Sequence, residues 1–261
     1  MIELHSILPY YPPQIAANAA YHKHILKEYI ELVVLEHLSQ SSYAPKLAFI
    51  GGTNLRLILG IDRFSEDLDF DCKQLTQQEF VSMTDDLVDY LRLNGMRVEL
   101  RDKDNPNLTA FRRNIVFPEL LFDMKLTGHR EERFLMKIEA QDQGVAYSTQ
   151  TAMVNRCGFF FPVTVPAKAT LLSMKIAALL ARTKGRDFYD TIFLWQQTDP
   201  DYDFLHLRCG IATPDALRLA LMEKLDNTNL ALKQKDFEHL LLSPSRSRQI
   251  LHFRQFVESK F

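Results

Sequence analysis

Ile50-Gly51-Gly52-Thr53-Asn54-Leu55-Arg56 stands a short spacer ahead of Arg63-Phe64-Ser65-Glu66-Asp67-Leu68-Asp69-Phe70-Asp71. A glycine pair that opens a helix can hold phosphates on its backbone NH groups. Carboxylates two residues apart on a strand point to one face, where they can share metal ions. The residues around the glycines supply the required frame. Residues 46–50 form a short apolar run that predicts a buried strand, and residues 53–59 predict a helix stopped by Gly60. Residues 67–72 alternate strictly, with Asp67, Asp69 and Asp71 on one face and Leu68, Phe70 and Cys72 on the other. Strand, glycine turn, helix and acidic strand together are equipment for handling a nucleoside triphosphate. The pair carries added weight because the chain has nine glycines in 261 residues.

Four carboxylates fall within six positions, Glu66, Asp67, Asp69 and Asp71. Crowded anions repel one another unless a cation neutralises them, and Mg²⁺ suits a few carboxylates completed by phosphate oxygens. The plainer alternative is an edge strand whose acids discourage aggregation. Glu139, in Met136-Lys137-Ile138-Glu139-Ala140, completes a three-carboxylate set if its strand lies beside 67–72; otherwise it is a solvated strand charge. The glycines do not belong to a Walker loop or to a GxGxxG dinucleotide fingerprint.

Further out, residues 22–38 carry Ile25, Tyr29, Leu32, Val33, Leu35 and Leu38 at mixed three- and four-residue steps, the pattern of a largely buried helix. Thr76-Gln77-Gln78-Glu79 has capping-box form ahead of a helical stripe that ends at Gly95. Residues 96–100, 108–117 and 134–140 predict strands, separated by turns at Asp104-Asn105-Pro106-Asn107 and Thr127-Gly128-His129. From Pro166 the pattern becomes helical, with a first helix ended by Lys184-Gly185 and others over 187–197, 213–225, 237–242 and 249–258. The fold expected is α+β: a mixed-sheet core over 1–155 with an N-terminal helix, and a helical part over 156–261.

Lys175 sits in the apolar stripe of Leu171, Ala178 and Leu179, where a solvated lysine is out of place. It either snorkels from the helix edge or points its charge at a bound triphosphate. In Arg186-Asp187-Phe188-Tyr189-Asp190, Asp187 can cap the next helix and Asp190 can favour its first turn through the dipole. The eight dispersed histidines contain no HExxH, which argues against a zinc enzyme.

Composition narrows the classes. With 46% hydrophobic and 25% charged residues the chain matches a folded globular protein. Three cysteines, Cys72, Cys157 and Cys209, with no CxxC pair, fit a reducing compartment. No signal-peptide pattern and no membrane-length apolar run is present, so a cytoplasmic location is expected. The net charge of −2 offers no global attraction to nucleic acid. Arg112-Arg113, residues 182–186 and residues 243–248 remain local candidates for RNA contact.

Taken together, Gly51-Gly52-Thr53-Asn54-Leu55-Arg56, Arg63-Phe64-Ser65-Glu66-Asp67-Leu68-Asp69-Phe70, Lys175 and Arg186-Asp187-Phe188-Tyr189-Asp190 resemble the AbiEii/AbiGii nucleotidyltransferase family. These are toxins of abortive-infection toxin-antitoxin modules, related to the MenT toxins and to polymerase-β-like nucleotidyltransferases. The spacer between Gly52 and Asp67 is long for the wider superfamily but suits this branch. The resemblance implies a nucleotidyltransferase core followed by a helical part. It also implies that Asp67 and Asp69 bind two Mg²⁺ ions, and that Gly51, Gly52, Thr53, Arg63, Ser65 and Lys175 hold the nucleotide. Lys175, Asp187 and Glu139 would serve in catalysis beside the two aspartates. The partners implied are an NTP, an RNA (tRNA among the possibilities) or protein acceptor, and a cognate antitoxin. Two other readings are a DxD phosphatase with an aspartate nucleophile and a non-catalytic nucleotide-binding protein.

Overall fold

The computed structural model describes residues 3–102 and 109–261. The expected turn at Asp104–Asn107, and the first residue of the strand expected at Leu108, lie outside the described residues. In chain order the elements are α1 (Leu4–Ile7), α2 (Pro13–Ala16), α3 (His22–Gln40), β1 (Leu47–Ile50), α4 (Gly51–Leu57), β2 (Asp67–Cys72), α5 (Gln77–Leu93), β3 (Glu99–Leu100), β4 (Phe111–Phe117), α6 (Leu120–Asp123), β5 (Phe134–Gln141), β6 (Thr149–Arg156) and β7 (Phe159–Pro166). Then follow α7 (Lys168–Arg182), α8 (Gly185–Trp195), α9 (Tyr202–Cys209), α10 (Pro214–Asp226), α11 (Leu230–Lys235) and α12 (Phe253–Glu258). This is the α+β class expected from the sequence.

The chain divides into two compact units. One comprises Met1–Leu59, Phe64–Asp142 and Thr151–Val165; the other comprises Gly60–Arg63, Gln143–Gln150 and Pro166–Phe261. Residues 156–165, grouped with the helical part on sequence, thus pack with the first unit.

The first unit is built on a mixed sheet in the order β1-β2-β5-β4-β3, in which β2 pairs antiparallel with β1 and parallel with β5. Alternation explains its two faces. Leu68 and Phe70 of β2, with Met136, Ile138 and Ala140 of β5, are buried, while Asp67, Asp69, Lys137 and Glu139 are half-buried on the intervening positions. Asp71 departs from the expected acidic face by being buried. Helix α3 is apolar almost all round, with Ile25, Leu26, Ile30, Leu32 and Val34 inaccessible to solvent, because it packs against both β2 and α5. Each such leucine or isoleucine contributes about 1.5–3 kcal/mol relative to exposure. The capping box at α5 forms as the sequence predicts: Glu79 N donates to Thr76 Oγ1, and Thr76 N donates to the Glu79 carboxylate.

Three local expectations change. The β6–β7 hairpin was not expected; its two-residue turn, Cys157-Gly158, has positive φ at both positions (51° and 83°), a geometry that Asn-Gly normally announces. Pro166 closes β7 rather than opening a helix. Helix α7 ends at Thr183, whose φ is 52°, whereas Gly185 begins α8. A Cβ on Gly185 would lie 1.9 Å from the Lys233 carbonyl oxygen, so glycine is required there by close packing. The second unit is helical, with α7 against α8 and α9, α8 against α11, and α10 against α12.

Candidate active site

In the first unit the glycine pair and the aspartate strand meet. Antiparallel pairing puts Ile50 opposite Asp69, and α4 starts at the very next residue. Gly51 has φ of 79°, and a Cβ built on it would lie 2.2 Å from Asp69 Oδ2. Any side chain at position 51 would therefore evict the Asp69 carboxylate, so two motifs separated in sequence form one constellation. Gly52 is buried directly behind it. Thr53, expected to hold nucleotide, is fully buried and its hydroxyl donates to the backbone carbonyl of Asp67. Its donor is spent on bracing α4 against β2. Asn54 Nδ2 donates to the Phe49 carbonyl at 2.8 Å and ties α4 to β1 in the same way. Ser65 is buried at the approach to β2.

The condition set for Glu139 is met. Parallel pairing of β2 with β5 places Asp69 opposite Glu139 and Asp67 opposite Lys137, and antiparallel pairing with β4 places Arg112 opposite Glu139. The charges then alternate across three strands. Lys137 Nζ lies 3.2 Å from Asp67 Oδ2 and 3.8 Å from Glu139 Oε1, and Arg112 Nε donates to Glu139 Oε1 at 2.9 Å. Among the described residues no three His, Cys, Asp or Glu side chains already converge on a metal position. The donor set nevertheless fits a hard divalent ion: it is all carboxylate, half-buried, and draws a cation, here the Lys137 ammonium, onto Asp67. Asp67, Asp69 and Glu139 are the residues that would hold such an ion.

Beneath this face lie two buried glutamates of α3. Glu28 accepts from Arg56 Nε at 2.6 Å, Arg156 Nη2 at 3.1 Å and Tyr11 Oη at 3.0 Å. Arg56 of the glycine motif is thereby a structural ion-pair partner. Glu31 is equally buried, and its Oε1 has no hydrogen-bond partner among the described residues. Burial pushes its carboxyl well above the ordinary value; Lys27 pulls the other way, and Glu28, Asp67 and Glu66 add smaller pushes upward.

The second unit holds the other expected residues. Lys175 is 8% exposed and does not snorkel: its Nζ lies 2.8 Å from Asp190 Oδ2. Arg63, expected to grip phosphate, is 1% exposed and forks onto the same carboxylate, Nε at 2.7 Å and Nη2 at 2.6 Å. Asp190 is thus a buried counter-ion for two cations rather than a dipole residue. Burial alone would raise its carboxyl, but Arg63 and then Lys175 reverse that and hold it below the carboxylate range. Sequence reasoning missed this role, since nothing local links Asp190 on α8 to Lys175 on α7 or to Arg63, 127 residues away. Asp187 is fully buried, takes Arg182 Nε at 3.0 Å and Nη2 at 2.8 Å, and accepts from Lys184 N at 3.2 Å. Asp187 is therefore the third residue of α8 and reaches back to the NH of its N-cap, Lys184, rather than capping a helix that starts at 187.

The basic clusters are less available than their sequences imply. Arg113 is buried against Thr84, Asp85 and Asp102, Arg182 is on Asp187, and Arg246 pairs with Asp62 at 2.5 Å. No helix among the described residues is long and apolar enough to cross a membrane.

Residues 33–258 match the family model described as nucleotidyl transferase AbiEii toxin, type IV TA system. No curated protein matches the chain. Among solved structures it is similar to MenT4, a nucleotidyltransferase toxin of Mycobacterium tuberculosis, with 18% identity over 98% of this chain and 90% of that one and a TM-score of 0.63. It is also similar to JHP933 from Helicobacter pylori, with 18% identity over 91% of this chain and 92% of that one and a TM-score of 0.51. At these identities the structural likeness is one of fold; the family match carries the activity and displaces the phosphatase and non-catalytic readings.

Proposed function

Because this chain belongs to the AbiEii family of nucleotidyltransferase toxins, we propose that it moves a nucleoside monophosphate from an NTP to an RNA or protein acceptor, and that a cognate antitoxin restrains it. The observation that carries this reading is the contact between Gly51 and Asp69 on a strand whose neighbour presents Glu139.

The reaction is in-line attack of an acceptor oxygen on the α-phosphorus, with pyrophosphate leaving. Divalent ions, Mg²⁺ in this reading, supply charge that stabilises the attacking and departing oxygens when bound. Asp67 and Asp69 hold them, with Glu139 as third carboxylate. The backbone NH groups of Gly51 and Gly52, at the start of α4, are assigned to the phosphates. Thr53 acts as a positioning residue through the Asp67 carbonyl. Arg63 is likewise assigned a positioning role, since its guanidinium is held by Asp190. Lys175 and Asp187, which the resemblance assigns to catalysis, are also given positioning roles, since Asp190 holds the one and Arg182 the other.

The test incubates the protein with Mg²⁺, each NTP labelled at its α-phosphate, and bacterial RNA or lysate. Label is expected to move to RNA or protein, and Asp69→Ala should reduce the rate on the order of 10²-fold or more. Near-normal transfer by Asp69→Ala overturns the site, and an absence of transfer from all four NTPs overturns the activity.

A further inference from the structure

One cation stands within the carboxylate face without a role in the reaction as described. Lys137 comes from the strand beside the aspartates, and parallel register fixes it directly opposite Asp67. Its ammonium is 3.2 Å from Asp67 Oδ2 and 3.8 Å from Glu139 Oε1. These are open distances for a lysine–carboxylate pair, and the side chains of Lys137, Asp67 and Glu139 keep 27%, 23% and 24% of their surface in solvent. The pair is therefore weak enough to exchange. Its surroundings hold further carboxylates: Glu66 adjoins Asp67, and Asp69 lies two residues on. Glu139 has a second cation, Arg112, at 2.9 Å, so Asp67 is the carboxylate that depends on Lys137.

We propose that Lys137 is a displaceable counter-ion of Asp67, competing with free divalent ion in the resting enzyme and transferring to a phosphate of the nucleotide when ion and nucleotide arrive together. A bare ion must push an ammonium away from its nearest carboxylate and leave it beside a dication. An ion that arrives with a triphosphate brings oxygens on which the flexible ammonium can settle, so its displacement is compensated. Lys137 thereby favours the metal–nucleotide complex over the metal alone. The inference rests on the metal reading of Asp67 and Asp69.

Mn²⁺ titration followed by electron paramagnetic resonance, on the full chain without nucleotide, tests it. Lys137→Met is expected to bind Mn²⁺ roughly 3- to 10-fold more tightly than the wild type, the effect of removing one partly exposed competing charge. Lys137→Arg, which keeps the charge, should stay near the wild type. With Mn²⁺ present, non-hydrolysable triphosphate analogues of the four bases should bind Lys137→Met several-fold more weakly. Binding that Asp69→Asn abolishes but Lys137→Met does not tighten overturns the inference and leaves the metal reading standing. Binding indifferent to Asp69→Asn in every variant overturns both. Lys137→Gln repeats the comparison should the methionine variant unfold, and thermal melting identifies that case.

Discussion

The two units each carry a set of paired charges, and the two sets differ in how firmly they are held. In the second unit, Arg63, Asp190 and Lys175 keep 10% or less of their side-chain surface and meet at 2.6–2.8 Å. In the first, Asp67, Lys137, Glu139 and Arg112 keep 23–33% and meet at 2.9–3.8 Å. The chemistry is the same; the depth is not. A carboxylate buried with two cations has no alternative partner, so it fixes backbone and rotamers around it. Carboxylates that share loosely held cations at a half-open face can exchange them for a metal ion, and the cations so released can settle on a phosphate. The difference separates scaffold from working surface without reference to any ligand.

The largest effect is expected where the firm set is broken. Asp190→Ala leaves Arg63 and Lys175 facing each other without their carboxylate, and should cost about 3–5 kcal/mol of unfolding free energy. Arg112→Ala in the loose set should cost less than about 1 kcal/mol. Urea denaturation of both variants checks the contrast, and equal losses would dissolve it.

A second break targets the glycine turn. Gly51→Ala requires a side chain at φ of 79° and a Cβ where Asp69 Oδ2 now lies. The left-handed conformation costs roughly 1–2 kcal/mol, and the displaced carboxylate should bring nucleotidyl transfer down toward the level of Asp69→Ala. Thermal melting together with initial rates separates the two consequences. A stable variant with ordinary rates would mean that Asp69 works from another position.

Much of this arrangement was legible in the chain because its signals are local. Strand, glycine turn and helix follow one another without a gap, the alternation of 67–72 gave β2 to the residue, and the Thr76–Glu79 box marked the start of α5. What escaped depended on tertiary contact. Gly185 looked like a helix stop, but its lack of a side chain serves packing against Lys233. Cys157 adopts a hairpin turn conformation for which its residue type gives no warning, and β7 carries Pro162 in its interior, where a strand is not expected to. Arg63 is next to the aspartates in sequence, yet the charge that claims it is Asp190, 127 residues away. The carboxylates of the β2–β5 face were readable; the cations that pair with buried and half-buried carboxylates were not.

The smallest expected effect sharpens the same contrast inside one helix. Glu28 and Glu31 are a turn apart on α3 and both are 1% exposed. Glu28 is fully partnered: burial raises its carboxyl, Arg56 and then Arg156 outweigh that, and it is held below the ordinary value. Glu31 lacks such partners and its carboxyl lies well above the ordinary 4.5. The native state therefore keeps a proton that the unfolded chain releases. Stability from this group is fully present below pH about 4.5 and is lost as pH rises through the raised folded value, with a slope of at most about 1.4 kcal/mol per pH unit. Glu31→Gln keeps the shape and cannot ionise, so it should remove this dependence. As pH rises above about 4.5 the wild type is expected to lose stability relative to the glutamine variant. Parallel stability curves for the two proteins would show that Glu31 is neutralised by a partner as Glu28 is, and the contrast between held and unheld charge would then stop at the surface of the sheet.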